Sequence, residues 1–231
     1  MGLDIPVIIN NRDLVTWTKA LALQISELDD VGEIIILDNA STYPQLLDWY
    51  DTCSYRIERL SNNLGHKAPW ISGLVGELCD RGAPYYVITD PDLDISGVPK
   101  DCISKLIEGL EMNNMEKCGL SLNFELSNHE SPWYKLRRGF DKHRVANADI
   151  GLCGVLKTPV DTTFAVWSPE LQAHAILGGM LWKPYQARHI PWEYSLTDIK
   201  ADPEYAYYMQ YANNSCSLKD LAVKVIDGKR S

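Results

Sequence analysis

The sequence predicts an α/β fold, a mostly parallel sheet flanked by helices, in a single domain over residues 1–231. Three observations predict it. Short apolar, β-branched runs recur at residues 6–9, 33–37 and 85–89, residues 55–60 alternate well enough for a further strand, and each segment has the length of one strand. Helical periodicity fills the intervals, so successive strands need crossover connections and run parallel. Every run ends in a polar cluster, which would gather Asn10, Asp38, Asn63 and Asp90 at one edge of the sheet, the edge where open α/β sheets hold ligands.

The elements follow in order. After the first strand, Asn10 to Asp13 form a polar loop, and Leu14, Trp17, Leu21, Ile25 and Leu28 then recur at helical spacing. The second strand, 33–37, runs into Asp38-Asn39-Ala40-Ser41-Thr42 before Pro44 opens a helix at a favoured first-turn position. The third, 55–60, leads to Asn62-Asn63-Leu64-Gly65-His66-Lys67, and Pro69 starts a helix through Leu78. The strand at 85–89 precedes a helix over 99–112. Later strands are expected at 118–122 and 163–167. The polar, aromatic stretch 123–147 between them, with Trp133, Tyr134 and Phe140, has the character of a lid or binding loop.

Composition narrows the function. Hydrophobic residues make up 45% and charged residues 23% of the 231, ordinary for a globular domain. A net charge of -9 excludes a broad nucleic-acid footprint, which needs clustered Lys and Arg; the basic residues at 135–138 and 142–144 are a short local group. The six cysteines are dispersed, with no Cys-x-x-Cys pair, and are expected as reduced core or surface thiols. Neither a signal peptide nor a transmembrane segment is legible, so the expected location is cytoplasmic.

The most informative stretch is residues 85–96, Tyr-Tyr-Val-Ile-Thr-Asp-Pro-Asp-Leu-Asp-Ile-Ser. If its backbone stays extended, Asp90, Asp92 and Asp94 project the same way from the end of the strand. Clustered carboxylates repel unless a cation lies between them, and Mg2+ or Mn2+ bound by one or two carboxylates completes its shell with phosphate oxygens and water. Asp and Pro are also common in turns, which leaves solvated turn residues as the alternative.

Taken in order, the strand before Asn10-Asn11, the run Ile-Ile-Ile-Leu-Asp-Asn-Ala-Ser-Thr, the Asn-Asn-Leu-Gly segment and Tyr-Val-Ile-Thr-Asp-Pro-Asp-Leu-Asp resemble the nucleotide-sugar half of family 2 glycosyltransferases with the GT-A, Rossmann-like fold. Residues 159–165 and 188–192 also resemble segments of such enzymes. The resemblance implies a nucleotide-sugar-binding half over 1–115 and an acceptor or catalytic half over 116–231. It implies that Asp38 contacts the base or ribose and that Asn10 lines the same pocket. Asp90 and Asp92 match the Asp-x-Asp pair, Asp92 as direct metal ligand and Asp90 at ribose or metal water, and His189 matches a late histidine that completes the metal shell. A stacked or surface histidine is the other reading of His189. Lys67, with His66, stands within reach of phosphates just after Asn63, or is simply solvated.

The activity implied is metal-dependent, hexosyltransferase-type transfer with inversion, using Mn2+ or Mg2+. The donor is a nucleoside diphosphate sugar, UDP-linked by preference, and the acceptor a glycan or small-molecule hydroxyl. Inversion needs a carboxylate to deprotonate the acceptor. The late Glu-Asp motif of the family is not clear here, so Asp161 is the expected base, with Glu193 and Asp149 in reserve; capping of Thr162 and Thr163 is the other role open to Asp161. Trp70, Trp133 and Trp192 could stack on sugar rings, while Trp17 and Trp49 are expected in the core. The rivals are a phosphohydrolase with Asp90 as nucleophile and a non-catalytic nucleotide-sugar-binding protein.

Overall fold

In the computed structural model, residues 2–123, 125, 127–131, 146–160, 163–171, 173–174 and 178–211 are described. Strands β1 (Ile5–Asn11), β2 (Val31–Asp38), β3 (Arg56–Arg59), β4 (Tyr86–Thr89), β5 (Leu93–Asp94), β6 (Lys117–Leu122), β7 (Asp149–Ile150), β8 (Leu156–Lys157), β9 (Ala165–Trp167) and β10 (Gly179–His189) build the sheet. The order is β3-β2-β1-β4-β9-β6-β10-β8-β7, with β5 pairing off this path onto β10. Strands β3, β2, β1, β4, β6 and β10 share one direction. Strand β9, from the second half of the chain, inserts antiparallel between β4 and β6, so both halves share one mostly parallel sheet.

Helices α1 (Thr16–Ser26) and α5 (Cys102–Met112) cover one face. Leu21, Ala22, Ile25, Ile103, Leu106 and Leu110 pack there on Ile5, Val7, Ile9 and Val87. Helices α3 (Ala68–Ile71) and α4 (Leu74–Asp80) cover the other, against Ile8, Ile35, Leu37, Tyr86 and Ile88. The alternation of Ile8 against Val7 and Ile9 is the period-two rule at work, and fully burying each such side chain contributes about 1.5–3 kcal/mol. Helix α2 (Pro44–Tyr50) starts at its proline, as expected, and packs Leu46 and Tyr50 with Ile36.

Some expectations need correction. The helix expected over 69–78 is two helices, because Gly73 takes φ 85°, a left-handed conformation that glycine adopts without steric cost. Strand β10 has no counterpart in the sequence reading. Its mixed, Pro184-containing sequence hides it, and residues 182–185 bulge out of register with β6. Also unforeseen are two C-terminal helices, α6 (Leu196–Ala201) and α7 (Pro203–Tyr211). Most of the expected lid lies outside the described residues; Ser127 and Asn128 dock on Glu193. Trp133 lies outside them too.

The five described cysteines are free. Burial pushes the Cys102 and Cys118 thiols up to about 12, as expected of reduced core thiols. Trp17 is buried as expected, whereas Trp49 is half-buried beneath Lys19. No helix among the described residues is long and apolar enough to cross a membrane.

Candidate active site

The carboxyl ends of β1, β2, β3 and β4 meet, and register decides which polar residues become neighbours. Asn11 pairs with Asp38 and Asp38 with Arg59, so three strands place an amide, a carboxylate and a guanidinium in one row. Ile9 pairs with Thr89, which brings the following residues, Asn10 and Asp90, to the same edge.

Asp38 is fully buried. Its carboxylate accepts from the Ser41 amide at 3.3 Å and from the Tyr50 hydroxyl at 3.2 Å, and the Arg59 guanidinium lies 3.6 Å away. Tyr50 in turn accepts from Asn11 Nδ2 at 3.0 Å. Burial pushes the Asp38 carboxyl above its ordinary value of 3.8, against the opposing hydrogen bonds from Ser41 and Tyr50. Protonation therefore favours the folded state. The contribution is full below about pH 3.8 and is lost as pH rises through the folded value. Asp38→Asn is expected to flatten Tm against pH above that point and to leave Tm at pH 7 no lower than in the native chain. Thermal denaturation between pH 4 and 8 checks it; a lower Tm at pH 7 would show that the charge stabilises the pocket.

Gly65 ties the third loop to the first two. Its carbonyl accepts from Asn10 Nδ2 at 3.2 Å and Asn39 Nδ2 at 2.8 Å, while Asn63 Oδ1 accepts from its amide at 2.9 Å. Gly65 holds φ 69°, which glycine tolerates and most residues do not. Asn10 Oδ1 is buried with no hydrogen-bond partner among the described residues, an acceptor that the fold itself leaves unused. Asn10 and Asn63 thus meet at Gly65, whereas the Asp38 side chain, out of phase with Leu37, faces Asn11, Tyr50 and Arg59 on the other side of the same strand edge. Lys67 is exposed on the adjoining turn, and its neighbour His66 packs edge-on to His174.

The second part of the site depends on a strand reversal. After β4 the chain turns at Pro91 and Asp92, and β5 then pairs antiparallel with β10, setting Leu93 opposite His189. His189 Nε2 lies 3.5 Å from Asp92 Oδ2, with side-chain exposures of 11% and 10%. The imidazole stacks on buried Trp192 with ring centroids 4.6 Å apart, so Trp192 orients His189 and is core rather than a sugar platform. Trp70 likewise packs on Trp167 and donates from Nε1 to the Tyr86 hydroxyl.

Asp94 does not join the acidic cluster. The turn at 91–92 ends the extended backbone on which that expectation rested, and Asp94 instead accepts from Gln24 and faces Arg188 at 3.4 Å. Among the described residues no three His, Cys, Asp or Glu side chains come close enough together to hold a metal ion. Asp92 and His189 meet, and Asp90 stands at the β4 end without completing a trio. Asp92 Oδ1 is buried without a hydrogen-bond partner among the described residues. A carboxylate oxygen left unused beside an imidazole fits a divalent ion whose remaining ligands are phosphate and water.

Asp161 lies outside the described residues. The residue before it, Val160, accepts through its carbonyl from Lys117 Nζ, and that fully buried ammonium sits 4.4 Å from the Trp167 ring centroid. Of the reserve bases, Glu193 is engaged by the Ser127 and Asn128 amides and lies 3.7 Å from Arg188. Asp149 pairs with Lys157, level with Gly179 at the start of β10, the end of the sheet remote from Asp92.

Sequence reasoning missed Asp13, which is buried at φ 53° and accepts from the Thr42 and Tyr43 amides at 2.6 and 2.9 Å. It also missed Arg59 and Tyr50. Asp13 was visible at the end of the first polar loop, but nothing local marks its partners, which lie 29 and 30 residues away.

No family model and no curated protein sequence matches the chain. Solved structures do. A mannosyltransferase from Pyrobaculum calidifontis, in complex with GDP-Man and Mn2+, aligns over 99% of this chain and 76% of its own at 14% identity, with a TM-score of 0.54. S. aureus TarS 1-349 aligns over 74% of this chain and 48% of its own, at 14% identity and a TM-score of 0.45. A glucosyl-3-phosphoglycerate synthase from Mycobacterium tuberculosis, with Mn2+, UDP and phosphoglyceric acid, aligns over 72% and 56% at 17% identity, with a TM-score of 0.44. The strand order and the overlay on the mannosyltransferase agree: the chain has a GT-A glycosyltransferase-like fold.

Proposed function

We propose that the protein is a metal-dependent glycosyltransferase that moves a sugar from a nucleoside diphosphate, UDP by preference, to a hydroxyl of a glycan or small acceptor, with inversion. The observation that carries this reading is the contact of Asp92 with His189 at the strand edge where Asn10, Asp38 and Asp90 also lie. Polar groups for a nucleoside and a position for a cation at one strand edge are what a nucleoside diphosphate needs.

In this reading the first half of the chain, 1–115, binds the donor and 116–231 serves the acceptor. Asn10 and Asp38 hold the nucleoside, Asn63 shapes the loop over it through Gly65, and Lys67 approaches the phosphates. Asp92 and His189 hold Mn2+ or Mg2+ with Asp90 beside them, and the ion neutralises charge on the diphosphate leaving group. The amino end of α1 offers no substitute for that ion, because the Glu204 carboxylate already caps the Thr16 amide there. Asp161 takes the acceptor proton, a role that rests on its place in the sequence.

Calorimetric titration with UDP, GDP and dTDP, each with manganese and with chelator, tests the proposal. Metal-dependent binding of one diphosphate is expected, followed by sugar release or transfer from the matching donor. Binding without any turnover on a panel of acceptors would identify a nucleotide-sugar-binding protein. No binding by the folded chain would overturn the assignment.

A further inference from the structure

We propose that helix α7 is a clasp that holds the two loops flanking Asn11 and Asp38 at the donor end of the sheet, with Glu204 as its positioning residue. The proposal rests on the donor-site reading above. Helix α1 has no capping side chain of its own, since Val15 occupies the N-cap, and its first amides need a partner. Glu204, only 6% exposed, supplies it from 188 residues away. Its carboxylate accepts from the Thr16 amide at 2.9 and 3.1 Å and from the Thr16 hydroxyl at 2.7 Å. A negative group at a helix amino terminus is favoured by the dipole as well as by the hydrogen bonds.

The same helix grips the neighbouring loop. Tyr207 packs on Tyr43 with ring centroids 5.0 Å apart, and its hydroxyl lies 3.0 Å from Thr42 Oγ1. Tyr205 is buried against Trp17 at 5.4 Å. Thr42 and Tyr43 donate their amides to Asp13, and the Asp13 amide donates to Ser41 Oγ. The β1–α1 loop, the β2–α2 loop and α7 are therefore one interlocked unit. Asn11 and Asp38, at the feet of the two loops, are bridged by Tyr50. A nine-residue helix is not stable alone, so docking of α7 and order in the two loops support one another. Pocket geometry at the nucleoside end accordingly depends on α7.

Amide hydrogen exchange on the full chain, native and Glu204→Ala, tests this together with manganese-dependent UDP titration. Exchange at Thr16, Thr42 and Tyr43 is expected to rise at least about tenfold, as loss of charge-assisted hydrogen bonds predicts, with β4 and α5 unchanged. UDP affinity is expected to fall by about the same factor, with Glu204→Gln, which keeps one acceptor oxygen, in between. Should Glu204→Ala fail to fold, Tyr207→Phe removes a single hydroxyl and is expected to raise exchange at Thr42 and Tyr43. Unchanged exchange at those residues overturns the clasp whether or not any nucleotide binds. A uniform rise throughout the chain overturns it too, as a general loss of stability. Local loosening with unaltered UDP affinity overturns the link to the pocket. A native chain that binds no nucleoside diphosphate overturns the donor site, and with it that same link, while exchange still decides the contact.

Discussion

Asp92→Ala is expected to weaken manganese-dependent nucleoside diphosphate binding by about 100-fold or more, beyond the range seen when only a partner of a metal ligand is lost. Binding measured in chelator should not change, because Asn10 and Asp38, the residues proposed to hold the nucleoside, lie on other strands. Stability in chelator should hold as well. Asp92 Oδ1 is buried without a hydrogen bond among the described residues, and removing an unsatisfied buried oxygen relieves a cost of about 1–3 kcal/mol that offsets the lost packing. Titration with and without manganese, paired with thermal denaturation in EDTA, separates the two quantities. Equal manganese-dependent affinity in the native and Asp92→Ala chains would refute the metal role. A large fall in Tm in EDTA would make Asp92 a structural turn residue.

Asp13→Ala is expected to give the largest stability loss of the pocket residues. Its carboxylate satisfies the Thr42 and Tyr43 amides, the second of them buried, and a buried amide left unpaired costs about 1–3 kcal/mol. Asp13 also holds φ 53°, a region where Asp is better tolerated than Ala. A loss of about 2–4 kcal/mol should lower Tm by roughly 5–15 °C in a chain of this size. UDP affinity should fall with it, because the loop that follows Asp38 loses its anchor. Asp13→Asn keeps an acceptor oxygen and the backbone preference, and should recover most of the Tm. Urea denaturation of both variants checks this; equal loss for Ala and Asn would mean that charge, rather than the two amide bonds, holds the loop.

The strands β1 to β4, and the edge at which their polar ends meet, were legible because each is a local signal: a β-branched run long enough for one strand or, at β3, an alternating one, followed by loop chemistry. Asn10, Asp38, Asn63 and Asp90 were found on the same ground, since a parallel sheet brings the ends of its strands together whatever the rest of the chain does. Asp94 shows where local reasoning stops. Alternation holds only along extended backbone, and the turn at Pro91 and Asp92 sends Asp94 to Gln24 and Arg188.

His189 was placed in the site by resemblance; no spacing in the chain marks it. Its position depends on β10, whose residues look like loop, running past the end of β6 to pair with β5. Glu204 on Thr16, Tyr207 on Thr42 and Lys117 on Val160 are likewise unions of residues remote in sequence. Hydrophobic period, turn residues and strand length are written within a few residues of one another, and so the α/β order and the ligand edge could be read from the chain. Which buried polar groups find each other is decided only when the sheet closes its register and each desolvated donor must be matched by whatever acceptor the fold brings within reach.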